Sequence, residues 1–346
     1  MPEMEKSTVW TITEPLAKAA PDSQGQDAVT RVLLQGGWGS PAEWAASQIC
    51  RKAGEAPLFL LSGGDGTLPA FSQRVFLRGG WDVRRLVSNG RCVGWRWEDD
   101  DAVYALLGGV LPSDRRAGRG EQAASTFCNL ETALQEGGLA FSDVVRTWLY
   151  LDKILDWYDE FNRVRDAFFR SRNVYGGLVP ASTGIGSANV WQTAIATGAI
   201  AIRAKRPDAV CCRALPSPLQ CPALEYGSSF SRAVEVETKA GRAVFISGTA
   251  SIEPGGKTAW VGDPARQLDL TMDVVEAILD SRGMTFQDTT RGILYLKEAA
   301  YLPLWQAWLA KRGLKNLPIG IAEADVCRDD LLVELELDAC TRPYNR

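Results

Sequence analysis

The amino-acid sequence predicts an α+β fold built from two similar units in tandem. Residues 141–151 and 286–296 share Phe, Asp, Arg, Leu, Tyr and Leu at the same spacing. Each of these segments ends in a predicted strand and lies between two segments whose apolar residues have helical spacing. Because a whole series of elements recurs, the sequence indicates an internal duplication.

The chain begins with a polar stretch, residues 1–28, which we interpret as a loose leader with one short strand. Strands are predicted at Val29–Leu34 and Pro57–Leu61, because both are short apolar runs. A helix at about Pro41–Lys52 is predicted between them.

Each unit is predicted to run strand, strand, helix, strand, helix, strand. Phe71–Val75 resembles Phe230–Val234, so we expect each of these segments to open a hairpin at the start of a unit. The predicted helices are about Gln122–Gln135, Ile154–Arg170, Gln267–Ser281 and Leu302–Lys311. The predicted divisions are the leader (1–28), an N-terminal domain (29–210), a Pro- and Cys-rich linker (211–222) and a C-terminal domain (223–346).

The composition excludes several classes of site. The chain has 346 residues, a net charge of −4 and no histidine, which excludes a Ser-His-Asp triad, a Cys-His dyad and a His-ligated metal. The eight cysteines contain no Cys-x-x-Cys pair, so we expect neither a metal nor a redox cofactor and mostly buried, reduced thiols. The acidic balance argues against nucleic acid or membrane partners. No signal peptide or membrane span is apparent, so a cytoplasmic location is expected.

Residues 331–338 form the most informative strand. Leu331, Val333, Leu335 and Leu337 fall on one face, and Leu332, Glu334, Glu336 and Asp338 fall on the other, because strand side chains alternate. Neighbouring carboxylates raise each other's pKa, and burial adds to that rise. A carboxyl with a raised pKa is suited to general acid catalysis. The alternative is a solvated outer face of an edge strand.

The repeat resembles the YjgF/Rid family of reactive-intermediate deaminases. The shared features are Phe-Ser-Gln or Phe-Ser-Arg at the start of a unit, Ile246–Thr249 at a strand end, the Leu-Tyr-Leu strand and the closing Glu-Leu-Glu strand. The resemblance implies two tandem Rid-like domains, each a mixed β-sheet packed on one face by two helices. Rid deaminases hold the substrate carboxylate with an Arg after Pro-Ala, but Ser182 stands there in this chain. The usual imine hydrolysis is therefore not expected.

Three further segments resemble the chorismatases, which are tandem Rid-like proteins: residues 180–186, 225–233 and 322–330. The resemblance implies an enzyme that releases pyruvate from chorismate without a cofactor. The second product is either 3-hydroxybenzoate or a 3,4-dihydroxycyclohexa-1,5-dienoate. The resemblance also implies that Glu334 protonates the enol-ether methylene, with Glu336 as the alternative acid.

Cys327 resembles the cysteine of the 3-hydroxybenzoate-forming branch, where a thiol assists aromatisation. That role requires a thiol pKa lowered by a cation such as Arg328. The alternative is a small buried side chain that fills space. Ala250 indicates the hydrolytic branch instead. A slightly larger residue at this position would narrow the substrate pocket and favour that branch.

The substrate carboxylates require fixed cations and hydrogen-bond donors. We expect Arg163 and Tyr150 to supply them from the first unit, and Tyr226 and Arg232 from the second. The backbone N–H groups of Thr183 and Gly184 are candidates for an anion-binding nest, the alternative being a plain turn. Arg163 has a solvated helix face as its alternative.

The expected partner is one small-molecule substrate, chorismate. A monomer is expected, because the tandem units supply a cleft that Rid proteins form between subunits. The rival hypothesis is a non-catalytic Rid-like ligand-binding protein.

Overall fold

The structure, a computed structural model, describes residues 8–15, 30–40, 42–43, 58–63, 67–78, 81–315 and 317–341. The described residues form three β-sheets and four longer α-helices. Most of the predicted leader lies outside the described residues, as does most of the predicted helix at Pro41–Lys52. None of the described helices is long and apolar enough to cross a membrane.

The first unit is a six-stranded mixed sheet with two helices. Its sheet order is β5-β6-β7-β11-β8-β9, and the β8–β9 pair is parallel. The elements are β5 (Arg84–Ser88), β6 (Arg91–Glu98), β7 (Ala102–Val110), α1 (Arg119–Glu136), β8 (Val144–Leu151), α2 (Tyr158–Ser171), β9 (Ala181–Gly186) and β11 (Ile195–Ala204).

The second unit repeats this arrangement element for element. Its order is β12-β13-β14-β17-β15-β16, and the β15–β16 pair is again parallel. The elements are β12 (Val210–Leu215), β13 (Ala233–Thr238), β14 (Gly241–Ala250), α3 (Pro264–Asp280), β15 (Thr289–Leu296), α4 (Leu302–Arg312), β16 (Ile319–Glu323) and β17 (Val333–Thr341). The predicted duplication and fold class are therefore confirmed.

The longer helix of each unit packs through residues at helical spacing. α1 buries Ala123, Phe127, Leu130 and Leu134, and α3 buries Leu268, Met272, Val275 and Leu279. In both helices these positions are i, i+4, i+7 and i+11, which form one apolar stripe. Each stripe packs with the second helix of its unit on the same face of the sheet, as predicted.

A third, five-stranded sheet corrects the predicted start of the first unit. Phe71 opens β4 (Phe71–Arg78) of this sheet, whereas the hairpin of the first unit begins at β5. The order β1-β4-β2-β3 matches β14-β17-β15-β16 with the same parallel and antiparallel pairs. The prediction that Phe71 is equivalent to Phe230 is therefore wrong, because β4 takes the place of β17. The other strands are β1 (Thr8–Pro15), β2 (Thr30–Trp38), β3 (Leu58–Ser62) and β10 (Ala188–Asn189).

The three sheets share a buried interior, which in the two units lies on the face of the sheet that the helices leave open. Trp38, Tyr150 and Tyr295 meet there, one from each sheet. The ring centroid of Trp38 lies 6.3 Å from that of Tyr150 and 5.7 Å from that of Tyr295. The interior is thus a second core, which joins the three sheets into one body.

Two smaller expectations differ from the structure. Most of β12 lies in the predicted linker, but it pairs with β13 along its whole length, so it is a strand of the second sheet. The seven described cysteines are free, but Cys128, Cys211 and Cys340 are exposed and the other four are half-buried. The prediction of mostly buried thiols is therefore wrong.

Candidate active site

The carboxylates of β17 face the shared interior, as the strand alternation predicted. Leu335 and Leu337 pack against the helices of the second unit. On the opposite face, Glu334 is 4% exposed, Glu336 is fully buried and Asp338 is 7% exposed. The alternative of a solvated outer face is therefore wrong, because charged groups are rarely this deeply buried unless they are paired or functional.

Glu336 is the ionised member of this row. Its Oε2 lies 3.0 Å from Nη2 of Arg146, and its Oε1 accepts a hydrogen bond from Arg291. Nη2 of Arg146 also donates to Oγ1 of Thr183 at 2.7 Å. Burial acts to raise the pKa of Glu336, but Arg291 and Arg146 outweigh it and the pKa is lowered. Glu336 is therefore a fixed negative charge and a poor proton donor.

Glu334 has the opposite character. Among the residues that the structure describes, it forms no salt bridge. Burial and the charge of Glu336 raise its pKa to about 8, against the opposing effect of Arg146. Glu334 therefore holds a proton at neutral pH and can give it to a substrate.

The backbone of β14 makes room for this carboxyl group. A β-bulge interrupts the pairing of β14 with β17 between Ile246 and Thr249. At Gly248, inside the bulge, an added Cβ would lie 2.0 Å from Oε1 of Glu334. Ala250 pairs directly with Glu334 across the two strands, so it does border the acid as expected. Bulges often occur beside active sites, where they redirect a side chain.

Glu334 lies where β9 of the first unit meets β14 of the second, and we call this junction the cleft. β9 runs along β14, and its Ser182 N–H donates to Oγ of Ser247 while its Gly186 N–H donates to the carbonyl of Asp325, each at 2.8 Å. Alternate N–H groups of a strand point to the same side. The N–H of Gly184 thus points into the cleft, and it has no hydrogen-bond acceptor among the described residues. Thr183 and Gly184 therefore form a strand edge rather than the predicted nest.

Cys327 shares this cleft, but its thiol is not acidic. Burial and the nearby Glu334 raise its pKa to about 12, and the opposing effects of Arg328 and a hydrogen bond with Tyr158 are smaller. The expectation of a pKa lowered by Arg328 is therefore wrong. Nη1 of Arg328 instead donates to the carbonyl of Gly256 at 2.8 Å. The thiol keeps its proton near neutral pH.

The second unit adds an aromatic and cationic wall. The guanidinium of Arg232 lies over the ring of Tyr226 at 5.3 Å, and its Nε and Nη2 donate to the carbonyl of Cys221 at 3.0 and 2.9 Å. Burial raises the pKa of Tyr226, and Arg232 opposes that rise while Cys327 adds to it. Tyr226 thus lies between Arg232 and Cys327, and the binding of a substrate carboxylate by Tyr226 and Arg232 stays a prediction.

Two of the predicted substrate contacts lie elsewhere. Arg163 is exposed on α2, so its helix-face alternative holds. Arg165, two residues farther on, is 2% exposed, because residues two apart lie on opposite faces of a helix. Tyr150 lies in the shared interior, where its ring packs against Trp38 and Phe59. Arg163 therefore lies on the outer face of α2, and Tyr150 lies in the shared interior near Glu336 and Arg291.

Sequence analysis missed two residues of the cleft, Arg165 and Tyr158. Tyr158 has a pKa raised by burial and by Cys327, with Arg165 opposing, so the three side chains are neighbours. Nη2 of Arg165 donates to Oδ1 of Asn162 at 2.8 Å, whereas its buried Nε has no partner. A signal for Arg165 was present, because Phe161, Arg165 and Phe169 recur at i, i+4 and i+8 on the buried face.

The described residues contain no group of three or more Cys, Asp or Glu side chains that is arranged to hold a metal ion. What the cleft offers instead is a protonated carboxyl, a neutral thiol, a buried guanidinium and a free backbone N–H. This set can protonate a substrate and hold an anion beside the reacting atoms.

No protein-family model matches the chain. Curated relatives match the chain over most of its length. A 3-hydroxybenzoate synthase of Streptomyces hygroscopicus is 26% identical over 288 residues, and the match covers 74% of this chain and 79% of the relative. A chorismatase of the same organism is 24% identical over 278 residues, 74% of this chain and 77% of the relative. A solved chorismatase structure has a TM-score of 0.70 at 20% identity and covers 96% of this chain and 98% of its own. The chain is thus similar to the chorismatase family in sequence and in fold, as its motifs indicated.

Proposed function

We propose that this chain is a chorismatase, which cleaves chorismate into pyruvate and 3-hydroxybenzoate. The observation that carries the proposal is Glu334, a buried carboxyl with a pKa of about 8 in the cleft between the two units. Such a group is protonated at neutral pH and can act as a general acid. The similarity to a 3-hydroxybenzoate synthase supports this choice of product.

The reaction begins with a proton. Glu334 protonates the methylene carbon of the enol ether, which leaves an oxocarbenium ion next to the new carboxylate. The ring hydroxyl of chorismate then displaces the side chain, which departs as pyruvate, and the ring loses a proton and becomes aromatic. The two products together contain the atoms of chorismate, so no water and no cofactor are consumed.

The carboxylates of chorismate require cationic or N–H partners. We assign one to Arg165, because a buried guanidinium with an unpartnered Nε is poorly stabilised without an anion. Arg232 supplies positive charge from the second unit, and Gly184 N–H supplies a backbone donor. Thr183 holds Arg146 in place rather than touching substrate. In this proposal Arg165 and the Gly184 N–H take the place of Arg163 and Tyr150 as partners of the substrate carboxylates.

Cys327 keeps an assisting role in its protonated form. Its thiol lies beside Tyr158 and Glu334, so it can donate a hydrogen bond to a ring oxygen and pass on a proton. A neutral thiol does not serve as the base for aromatisation.

Water attack on the oxocarbenium ion, which gives the dihydroxycyclohexadienoate, remains the alternative. Ala250 beside Glu334 favours that alternative if it narrows the pocket.

We also propose that the chain acts as a cytoplasmic monomer, since one chain carries both sides of the cleft. We place the boundary between the two domains before β12, since β12 is a strand of the second sheet, and we join β1 of the predicted leader (1–28) to the N-terminal domain, since β1 pairs with β4. Gel filtration with light scattering tests the monomer directly.

A coupled assay tests the function. Purified protein is incubated with chorismate, pyruvate is followed with lactate dehydrogenase and NADH, and the ring product is separated by chromatography. We expect equal amounts of pyruvate and 3-hydroxybenzoate. If pyruvate is formed together with the dihydroxycyclohexadienoate alone, the enzyme is a chorismate hydrolase and the lyase reaction is wrong. Binding of chorismate without any pyruvate would favour the ligand-binding rival.

A further inference from the structure

A polar cluster ties helix α2 of the first unit to the loop before β13 of the second. Ser229 of this loop donates a hydrogen bond to Oδ1 of Asp166 on α2. The hydroxyl of Tyr175, in the turn that follows α2, donates to the same Oδ1 at 3.0 Å and lies 2.6 Å from Oγ of Ser229. We call these three residues the clasp, because they join elements of two different units.

Ser229 is the centre of the clasp. It is buried, with 3% of the residue exposed, and it contacts both other members. A further partner of Asp166, Arg170, lies 3.9 Å away and its side chain is 71% exposed, and such surface ion pairs contribute little. A hydrogen bond to a carboxylate is stronger than one between neutral groups. The Ser229 hydroxyl therefore contributes more than Arg170 to the position of Asp166.

The clasp adjoins the residues to which the substrate carboxylates are assigned. Asp166 directly follows Arg165 on α2. Ser229 is midway in the chain between Tyr226 and Arg232. The clasp therefore sets how far the side of the cleft that carries Arg165 lies from the side that carries Tyr226 and Arg232.

α2 and the loop also meet at the other end of the helix. Burial raises the pKa of Tyr158, the first residue of α2, and Tyr226 adds a smaller rise, so the two side chains are neighbours. Tyr158 and Asp166 are about 12 Å apart along the helix axis. Tyr158, Arg165 and Asp166 are at i, i+7 and i+8, which is one face of a helix. The loop thus follows the face of α2 on which Arg165 lies.

Of these two partners, the loop is held less firmly. α2 packs into the first unit through Phe161 and Phe169, which are both almost fully buried. In the loop, Leu224 is 49% exposed, and the exposed Gly227 has a φ of +82°. Segments with few buried apolar contacts open at low cost. Loss of the clasp is therefore expected to free the loop rather than the helix.

We propose that Asp166 and Ser229 are positioning residues, which hold the loop against α2 so that Arg165 and Tyr226 bind one substrate molecule together. The inference rests on the proposed binding of chorismate in the cleft. The clasp acts on binding through its neighbours, whereas proton transfer is assigned to Glu334. Loss of the clasp is therefore expected to weaken the binding of chorismate and to leave the chemical step intact.

Steady-state kinetics of Ser229→Ala test the proposal. This variant lacks the central hydroxyl, and we expect KM for chorismate to rise about five- to tenfold while kcat stays within about twofold of wild type. The alkaline limit of kcat is expected to stay in place, because Glu334 is untouched. Ser229→Thr keeps a hydroxyl group and is expected to restore most of the affinity.

Ser231→Ala is the matched control. Its Oγ also donates across the two units, to the carbonyl of Val179 at 2.7 Å, but it does not contact α2. We expect KM in this variant to stay within about twofold of wild type. If KM of Ser229→Ala is also unchanged and only its free energy of unfolding falls, the clasp is a structural contact and the inference is wrong.

Binding without turnover separates this inference from the proposed function. Calorimetric titration with chorismate compares Glu334→Gln with the double variant Glu334→Gln/Ser229→Ala, and we expect about five- to tenfold weaker binding by the double variant. Wild type that releases no pyruvate would overturn the proposed function, and weaker binding by the double variant would still support the clasp. Equal binding by the two variants, or no binding of chorismate by either of them, would overturn the inference.

Asp166→Asn covers the case in which Ser229→Ala fails to fold, as judged by circular dichroism. It keeps the shape of the side chain and removes the charge that accepts both hydrogen bonds. We expect KM for chorismate to rise here as well, with kcat kept. An unchanged KM in a folded Asp166→Asn variant would overturn the inference.

Discussion

β17 of the second unit and β11 of the first occupy the same place in two matching sheets, yet their inner faces differ completely. Each is the fourth strand of its sheet and pairs with a Leu-Tyr-Leu strand. The acids of β17 are opposite Tyr295, Ile293 and Arg291, whereas the matching positions of β11, opposite Tyr150, Trp148 and Arg146, are Ala196, Gly198 and Ile200.

The difference shows that two copies of one scaffold can carry different inner faces, with buried carboxyl groups in one copy and small or apolar side chains in the other. At Gly198 an added Cβ would lie 2.5 Å from the ring of Phe59, so an aromatic ring of the third sheet packs against the first unit at the position where the second unit has Glu336. The carboxylates of the second unit are stabilised by Arg146 and Arg291, one from each unit. Function is thus added to a fold that either copy could form without it.

The largest expected effect comes from replacing the protonated carboxyl group of Glu334 on β17. Glu334→Gln keeps the shape of the side chain, and we expect pyruvate release from chorismate to fall at least about a hundredfold. Glu323→Gln is the matched control, because Glu323 is a carboxylate of β16, the edge strand of the same sheet and two strands from β17. It is expected to keep its activity within about twofold of wild type. Near-normal activity in Glu334→Gln would mean that another residue is the general acid.

The second largest effect is expected on the buried face of α2 and not on its exposed face. Arg165→Gln is expected to lower kcat/KM about ten- to a hundredfold, because a charge-assisted hydrogen bond to a substrate carboxylate is lost. Arg163→Gln changes an exposed side chain of the same helix and is expected to have little effect on either constant. If Arg163→Gln is the damaging variant, the carboxylate contact belongs to the outer face of α2.

A third prediction concerns the ion pairs that distinguish β17 from β11. Glu336→Gln leaves Arg146 and Arg291 buried without a full counter-charge, which costs about 3–5 kcal/mol in the free energy of unfolding. The loss is expected to be largest above the ordinary carboxyl pKa of 4.5 and to shrink as the pH falls below it, because the pKa of Glu336 is lowered in the fold. Urea unfolding at several pH values measures this.

The same variant also affects catalysis. Removing the charge of Glu336 removes one cause of the raised pKa of Glu334. We therefore expect the alkaline limit of kcat to move to lower pH than in wild type. An alkaline limit that stays at its wild-type value in Glu336→Gln would show that the two carboxyls are not coupled.

The smallest expected effect is at Cys327. Cys327→Ala removes a neutral hydrogen-bond donor, and we expect 3-hydroxybenzoate to fall a few-fold relative to pyruvate, with some dihydroxycyclohexadienoate in its place. Chromatography with parallel pyruvate measurement gives the ratio. If product and rate are both unchanged, the thiol only fills space.

The sequence was sufficient for the features that depend on local patterns. Alternation in β17 correctly predicted which carboxylates share a face, and helical spacing placed all four longer helices within a few residues. The third sheet was missed because β4, which begins at Phe71, was assigned to the hairpin of the first unit, and because β10 joins the sheet from residue 188. The pKa of Cys327 was misjudged because burial and the nearby Glu334, which comes close only in the fold, outweigh the effect of Arg328. Such packing decisions leave no local mark in a sequence.

Glu334 is expected to carry a proton at neutral pH, whereas Glu336 on the same face of β17 is expected to be ionised. Difference infrared spectroscopy of wild type against Glu334→Gln, recorded as the pH is raised, isolates the band of this one carboxyl group. We expect the protonated band to persist through pH 7 and to disappear near pH 8. Disappearance near pH 4.5, the ordinary value for glutamate, would contradict the assignment of Glu334 as the general acid.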